Sequence, residues 1–209
     1  MTLDAQTADA VIIDTGCANI SSLKFALQRL GYQILVSADK AQIQSASKVF
    51  LPGVGSAEFA MNSINERNLV GVVQSLKQPV LGICLGMQLM TEHSIENDID
   101  TPCLNLIPGE VKRITAENAD HNLRLPHMGW NTLENISDSP LFSGITGEDY
   151  FYFVHTYCAP INSATIAQCD YGQRFSASLQ NNNFSGVQFH PERSGKAGAK
   201  LLSNFMELC

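Results

Sequence analysis

The strongest chemical signal in the sequence is a cysteine between two glycines. Gly82, Cys84 and Gly86 form a G-x-C-x-G element where the apolar segment PVLGI (79–83) meets a helix expected over 85–93. An abrupt strand-to-helix turn holds a nucleophile in a strained conformation, and the following backbone N–H can stabilise an oxyanion. The N-terminus of a helix also favours a thiolate. The element therefore indicates a nucleophilic thiol at Cys84, and a small buried hydrophobic residue is the alternative.

A base for this thiol is offered by His190-Pro191-Glu192 near the end of the sequence. The residue before a proline is pushed to extended angles, and positions i and i+2 of an extended segment point to the same side. His190 and Glu192 are therefore expected to converge, with the carboxylate orienting the imidazole. No pair of histidines has the spacing of a metal site, so metal catalysis is not expected. No other cofactor is expected either.

A third element is the loop Pro52-Gly53-Val54-Gly55, which follows the apolar segment KVFL (48–51). Open α/β proteins bind ligands at the carboxyl ends of their parallel strands. Glycine in such a loop lets a backbone N–H approach a substrate or an oxyanion closely. An ordinary turn is the alternative, and the missing Gly-Lys-Ser/Thr rules out a phosphate-binding P-loop.

The elements that must position these residues alternate in the first half of the chain. Short β-branched segments at 10–14, 32–36, 48–51 and 79–83 are separated by helix-like stretches, notably 19–31 and 56–77, which predicts a parallel sheet. From about residue 109 the chain predicts strands without intervening helices, and a helix over 196–208 closes it. We expect one α/β domain over residues 1–209: an open, mostly parallel central sheet flanked by helices, with additional antiparallel strands in the C-terminal half.

Composition limits the classes of function. The 209 residues carry 13 Lys and Arg against 20 Asp and Glu, a net charge of −7 that argues against nucleic acid as the main partner. The six cysteines show no Cys-x-x-Cys pair, and the sequence has no signal-peptide pattern and no apolar run long enough to cross a membrane. We therefore expect a cytoplasmic protein with reduced thiols, of which Cys84 is the reactive one.

Together, these motifs give the chain a resemblance to a known family. It resembles the class I (triad) glutamine amidotransferases, and within them the glutaminase subunits of imidazole glycerol phosphate synthase, an enzyme of histidine biosynthesis. The resemblance spans the chain in order and rests on five segments: LPGVGSAEFAM (51–61), PVLGICLGMQLM (79–90), PHMGWN (126–131), YFVHTY (152–157) and GVQFHPERSGKAG (186–198).

The resemblance implies a role for each motif. Cys84 would attack the side-chain amide of L-glutamine, His190 would protonate the departing ammonia, Glu192 would orient His190, and water would hydrolyse the glutamyl thioester. The oxyanion donors implied are the backbone N–H of Leu85 and one from Gly53 or Val54. Contacts to the substrate glutamine are implied for five residues: Gly53, Gln88, Val154, His155 and Thr156.

The resemblance also implies a partner. Ammonia would pass to a (β/α)8-barrel cyclase subunit in a heterodimer, and the residues expected toward that subunit are Pro126, His127, Met128, Gly129, Trp130, Asn131, Arg193 and Lys196. The only tryptophan, Trp130, has a core position as its alternative. Two other hypotheses remain at this point: the glutaminase component of anthranilate or aminodeoxychorismate synthase, and a catalytically silent scaffold subunit.

Overall fold

The main sheet provides the framework of the fold. In the computed structural model, which describes residues 7–16, 19–115 and 123–209, this sheet has seven strands. In spatial order they are β11 (Thr165–Asp170), β12 (Arg174–Asn181), β13 (Phe184–Val187), β4 (Val80–Cys84), β3 (Val49–Gly53), β1 (Ala10–Ile13) and β2 (Ile34–Ser37).

Strand direction divides this sheet into two parts. Strands β2, β1, β3, β4 and β13 are parallel neighbours, whereas β12 and β11 continue from β13 in antiparallel order. The predicted mostly parallel sheet with antiparallel C-terminal strands is confirmed. Because β3 and β13 flank β4 on either side, the chain leaving each of these strands emerges near the end of β4.

Six helices accompany the strands in the described ranges: α1 (Ile20–Arg29), α2 (Lys40–Ser45), α3 (Ala57–Glu66), α4 (Val70–Ser75), α5 (Leu85–Leu89) and α6 (Gly195–Leu208). The helix expected over 56–77 is two helices, and Asn68 between them has φ 54°, a left-handed angle that ends α3. The helix expected over 85–93 stops at Leu89, and α2 was not expected.

Two smaller sheets lie beside the main one. The first has the order β10 (Tyr157–Cys158), β7 (Glu110–Arg113), β5 (His93–Glu96) and β6 (Ile99–Pro102), and the second pairs β8 (His127–Thr132) with β9 (Tyr150–His155). After α5 the chain turns at residues 90–92 and enters β5 at His93, where β5 pairs with β6 and β7.

Apolar side chains fill the space on both faces of the main sheet. Val11 and Ile13 contribute to one buried cluster, while Ile12 and Phe50 contribute to a second. Strands covered on both faces read as continuous apolar runs, which is what the sequence shows for β1 and β4. In the described parts of the chain, no helix combines the length and hydrophobicity needed to span a membrane.

Candidate active site

Cys84 stands at the sharp turn between β4 and α5. Its backbone angles are φ 53° and ψ −114°, a strained conformation for a residue with a side chain. The flanking glycines are required by close backbone contacts: a Cβ on Gly86 would lie 1.8 Å from the carbonyl oxygen of Leu51, and one on Gly82 would lie 2.8 Å from that of Gly86. The G-x-C-x-G pattern is therefore explained by the turn that presents the thiol.

His190 and Glu192 come from the segment after β13, where Pro191–Arg193 forms a short 3-10 turn. The imidazole Nδ1 of His190 lies 2.8 Å from Oε1 of Glu192, and both side chains are nearly buried. The backbone of His190 is held from two sides, since its N–H donates to the carbonyl of Tyr152 and its own carbonyl accepts from the hydroxyl of Ser194. The structure thus brings the predicted base and its orienting carboxylate together.

The charge state of His190 follows from these neighbours. Burial lowers the pKa of His190, but hydrogen bonds and charge interactions with Cys84 and Glu192 outweigh it and raise that pKa to about 10. The imidazole therefore holds its proton at neutral pH and pairs with the thiol sulfur on one side and the carboxylate on the other. This is the arrangement needed to stabilise a thiolate and to protonate a leaving group.

Cys84 and His190 both face a cavity of about 350 Å³. Six residues predicted for the oxyanion or the substrate contacts also line it, together with Gly55 of the predicted loop: Val54, Leu85, Gln88, Val154, His155 and Thr156. Gly53 packs against Leu85 and Gly86 and borders a small neighbouring space together with Glu192. A larger depression of about 990 Å³ along residues 133–147 holds neither cysteine nor histidine, so the smaller cavity is the candidate site.

Gln88 is held in the cavity wall by two hydrogen bonds. Its Nε2 donates to the carbonyl of Tyr157 at 2.9 Å and to Oε1 of Gln188 at 2.8 Å. Because both N–H groups are used, the side chain offers a ligand its carbonyl oxygen. Gln188 in turn places its Nε2 3.8 Å from the sulfur of Cys84. Sequence reasoning missed Gln188, which had no signal beyond its position two residues before His190.

Glu96 is a second residue that sequence reasoning missed. It is the single acidic residue among those lining the cavity, so its carboxylate could pair with a cationic group of a ligand. Its Oε1 accepts from the backbone N–H of Ala57 and the hydroxyl of Ser94. The adjacent Asn97-Asp98 pair, with φ 51° and 64°, forms the β5–β6 turn; a two-residue turn of this type was a signal that could have predicted the hairpin.

The residues expected toward a partner are mostly at the surface. Met128 and Trp130 are 62% and 54% exposed, and Pro126, Arg193 and Lys196 are also exposed, while Gly129 and Asn131 are partly buried. The guanidinium of Arg193 lies 4.3 Å from the ring centre of Tyr152, whose ring also contacts Trp130. A core position for Trp130 is excluded by its exposure.

His127 differs from the other residues of this group. Strand alternation turns its side chain away from Met128 and buries it to 3% exposure. The side chain of His127 is therefore enclosed by this chain and is not available at the surface, while the expected place of this residue toward a partner stays a prediction. Among the described residues, no group of three His, Cys, Asp or Glu side chains is arranged to hold a metal ion.

Comparison with known proteins identifies the family of the chain. Residues 11–209 match the family Glutamine amidotransferase class-I. The imidazole glycerol phosphate synthase subunit HisH of Colwellia psychrerythraea is 53% identical over 97% of this chain and 94% of its own length. The same subunit of Vibrio cholerae is 52% identical over 97% of this chain and its full length, and that of Haemophilus influenzae is 54% identical over 94% and 96%.

Solved structures share the fold at much lower identity. A crystal structure described as a glutamine amidotransferase superposes with a TM-score of 0.71 at 16% identity and covers 94% of this chain and 97% of its own. A glutamine amidotransferase from Thermotoga maritima gives a TM-score of 0.58 at 14% identity, over 94% of this chain and 81% of its own. The chain therefore belongs to the class I glutamine amidotransferase family and, within it, to the HisH subunits of imidazole glycerol phosphate synthase.

Proposed function

We propose that this chain hydrolyses L-glutamine to glutamate and ammonia through a Cys84-His190-Glu192 triad, as the glutaminase subunit of imidazole glycerol phosphate synthase in histidine biosynthesis. The observation that carries the proposal is the strained Cys84 facing the His190–Glu192 pair across one cavity. The assignment to this synthase is supported by HisH subunits that are 52–54% identical to this chain.

The chemistry assigns one task to each member of the triad. The Cys84 thiolate attacks the side-chain carboxamide carbon of glutamine, and the C–N bond breaks as His190 transfers its proton to the departing nitrogen, which leaves as ammonia. Water then attacks the glutamyl thioester and gives a proton to His190. The C–S bond breaks, glutamate leaves, and the Cys84 thiolate is regenerated. Glu192 keeps the imidazole oriented and stabilises its charged form.

The cavity wall supplies the binding groups in this proposal. The backbone N–H of Leu85 and one from Gly53 or Val54 stabilise the oxyanion. The carbonyl oxygen of Gln88 and the carboxylate of Glu96 accept from the donors of the substrate, the latter pairing with its α-ammonium group. The backbone of Val154, His155 and Thr156 borders the same cavity and completes the binding site.

A cyclase subunit is the proposed receiver of ammonia. We assign its docking surface to Met128, Trp130, Arg193 and Lys196, with Pro126, Gly129 and Asn131 beside them. The exposure of two large apolar side chains next to a cation supports this surface, because aromatic residues, Met and Arg are enriched at interfaces. A heterodimer with a (β/α)8-barrel cyclase and a cytoplasmic location, where the free thiols stay reduced, belong to the same proposal.

The decisive experiment is Cys84→Ser in the assembled complex. We expect glutamine-dependent synthesis to fall by about 1,000-fold or more, because the nucleophile is lost, while synthesis supplied with ammonium salt stays at the native rate. Cys209→Ser, a change at an exposed cysteine, serves as the matched control and leaves both rates unchanged.

Two outcomes would overturn the proposal. Glutaminase activity of Cys84→Ser near that of the native chain would remove Cys84 as the nucleophile. Co-purification with a chorismate-using enzyme instead of a barrel cyclase would reassign the chain to another synthase. Both measurements use the full chain, so neither depends on a fragment folding alone.

A further inference from the structure

Two buried histidines face each other across the β8–β9 pair. His127 and His155 are directly opposite in the strand register, and Nδ1 of His127 lies 3.0 Å from Nε2 of His155. Their side chains are almost fully buried, with residue exposures of 3% and 6%. Burial lowers the pKa of His127 to about 4 and that of His155 to about 3, so both rings are neutral at neutral pH.

The hydrogen-bond partners determine which nitrogen of each ring carries the proton. Nδ1 of His155 lies 2.9 Å from the backbone carbonyl of Tyr157, which can only accept, so this nitrogen must be the donor. In a neutral ring Nε2 of His155 is then an acceptor, and Nδ1 of His127 must donate to it. The pair therefore has a single consistent direction, from His127 through His155 to the Tyr157 carbonyl.

His127 is kept in place by aromatic rings on both of its faces. The ring of Tyr171 is stacked at 4.0 Å between centroids and 16° between planes, and that of Phe153 at 4.8 Å and 18°. Such a sandwich leaves the imidazole little freedom to rotate. The donor Nδ1 of His127 is consequently aimed at His155, and the position of the imidazole depends on the strand β8 that carries it.

The far end of this chain of hydrogen bonds reaches the proposed binding site. The Tyr157 carbonyl accepts from His155 and also from Nε2 of Gln88, at 2.9 Å each. A carbonyl held by two donors is fixed in direction, and it fixes the amide of Gln88, whose oxygen faces the ligand. At the near end, the neighbours of His127 on β8 include the exposed Met128 of the proposed docking surface.

We propose that His127 and His155 form a positioning relay, which orients the Tyr157 carbonyl and through it the Gln88 amide for glutamine binding. The inference rests on the proposed glutaminase function. Neither histidine takes part in proton transfer in this role, and His127 touches no reacting atom. The relay gives a function to two buried polar side chains that the triad does not use.

Two substitutions at His127 separate positioning from packing. His127→Phe fills the aromatic sandwich but removes the donor, whereas His127→Asn leaves space in the sandwich but places a side-chain amide N–H near the former Nδ1. Since loss of one buried hydrogen bond weakens an interaction by roughly 3- to 10-fold, we expect His127→Phe to raise the KM for glutamine by that factor with kcat changed less than about twofold. His127→Asn should restore KM to within about twofold of the native value despite a lower Tm.

Tyr171→Phe is the matched control. It keeps the ring stacked on His127 and removes one hydrogen bond, from the Tyr171 hydroxyl to the carbonyl of Arg124 at 2.8 Å. We expect it to lower stability without changing KM. A purely structural role for His127 predicts the opposite order, in which KM worsens as Tm falls and His127→Asn is the more damaged variant. That order would overturn the relay.

A measurement that does not depend on activity completes the test. In 15N NMR spectra of the full chain, we expect both histidines to carry their proton on Nδ1, with a coupling across the hydrogen bond between the two rings, and we expect the side-chain amide signals of Gln88 to shift in His127→Phe. Protons on Nε2 of His155, or unchanged Gln88 signals in that variant, would overturn the relay. If the native complex lacks glutaminase activity, the proposed function fails while these spectra still decide the relay.

Discussion

Replacing Glu192 by glutamine tests the electrostatics of the triad with almost no change in shape. The substitution keeps an oxygen that can accept from Nδ1 of His190 and removes the negative charge 2.8 Å away. Hydrogen bonds to charged groups contribute about 1.5–3 kcal/mol, and the low exposure of both side chains keeps water from screening the pair. If this contribution is made in the transition state, kcat falls by about 10- to 150-fold.

The pH profile gives a second, independent measure of the same change. Glu192 helps to raise the pKa of His190, so in Glu192→Gln the imidazole loses its proton at lower pH. Because the protonated imidazole is the proposed acid that releases ammonia, we expect the alkaline limb of the profile to move toward neutral pH. The assay is glutamate release at saturating glutamine, with the cyclase present, over a series of pH values.

Glu134→Gln is the matched control, because it makes the same chemical change at a surface ion pair. Oε2 of Glu134 lies 3.1 Å from Nε of Arg174, and both side chains are about half exposed. Exposed pairs contribute less than about 1 kcal/mol, so activity and pH profile should stay native. A kcat of Glu192→Gln within twofold of the native value, with an unmoved alkaline limb, would refute the assigned role of Glu192.

Three further predictions concern stability and reactivity. Gly186→Ala should lower the free energy of unfolding by about 1–3 kcal/mol, because its Cβ would lie 2.4 Å from a methionine side chain of α5. Gly71→Ala, in open space on α4, is the control and should be neutral or stabilising. Thermal unfolding measures both. Iodoacetamide at near-neutral pH should modify Cys84 before Cys158, whose pKa burial raises to about 12, as peptide mass spectrometry of the native chain will measure. As the pH falls from 6.5 to 4, the free energy of unfolding should fall by up to about 1.4 kcal/mol per pH unit through His127 alone, because the unfolded chain binds a proton that the folded chain excludes. Denaturant titrations at a series of pH values should show a smaller dependence of this free energy on pH for His127→Asn.

Each of these has a result that contradicts it. Equal Tm changes in the two alanine variants would remove steric crowding at Gly186 as the cause. Labelling of Cys158 at the same rate as Cys84 would show that burial does not protect it. An unchanged acid slope in His127→Asn would mean that the protonation of His127 does not couple to unfolding.

The sequence predicted those parts of the site that are set by local geometry. Gly82, Cys84 and Gly86 are close together along the chain, and their spacing predicts the strand-to-helix turn. His190 and Glu192 are two residues apart with a proline between them, so their convergence also follows from local backbone rules. The alternation of apolar strands and helices likewise predicted the parallel sheet.

Contacts between distant parts of the chain could not be predicted in this way. Gln88 and Gln188 are a hundred positions apart and meet only because β13 lies beside β4. His127 lies in the segment PHMGWN (126–131), which was expected toward a partner as a whole, and the burial of its side chain depends on pairing between β8 and β9. The apolar residues after Cys84 suggested a longer helix than forms, because tertiary pairing of β5 overrides local propensity there.

The place of β13 in the sheet has a consequence for the synthesis of the protein. This strand begins at Phe184, late in the chain of 209 residues, yet it pairs directly with β4, which carries Cys84. Until the ribosome has released that strand, β4 is an open apolar edge and the proposed base, His190, is absent from the site. A chain that ends before β13 therefore lacks the partner strand of β4 as well as His190 and Glu192 of the proposed triad, and its unpaired edge is a site for aggregation.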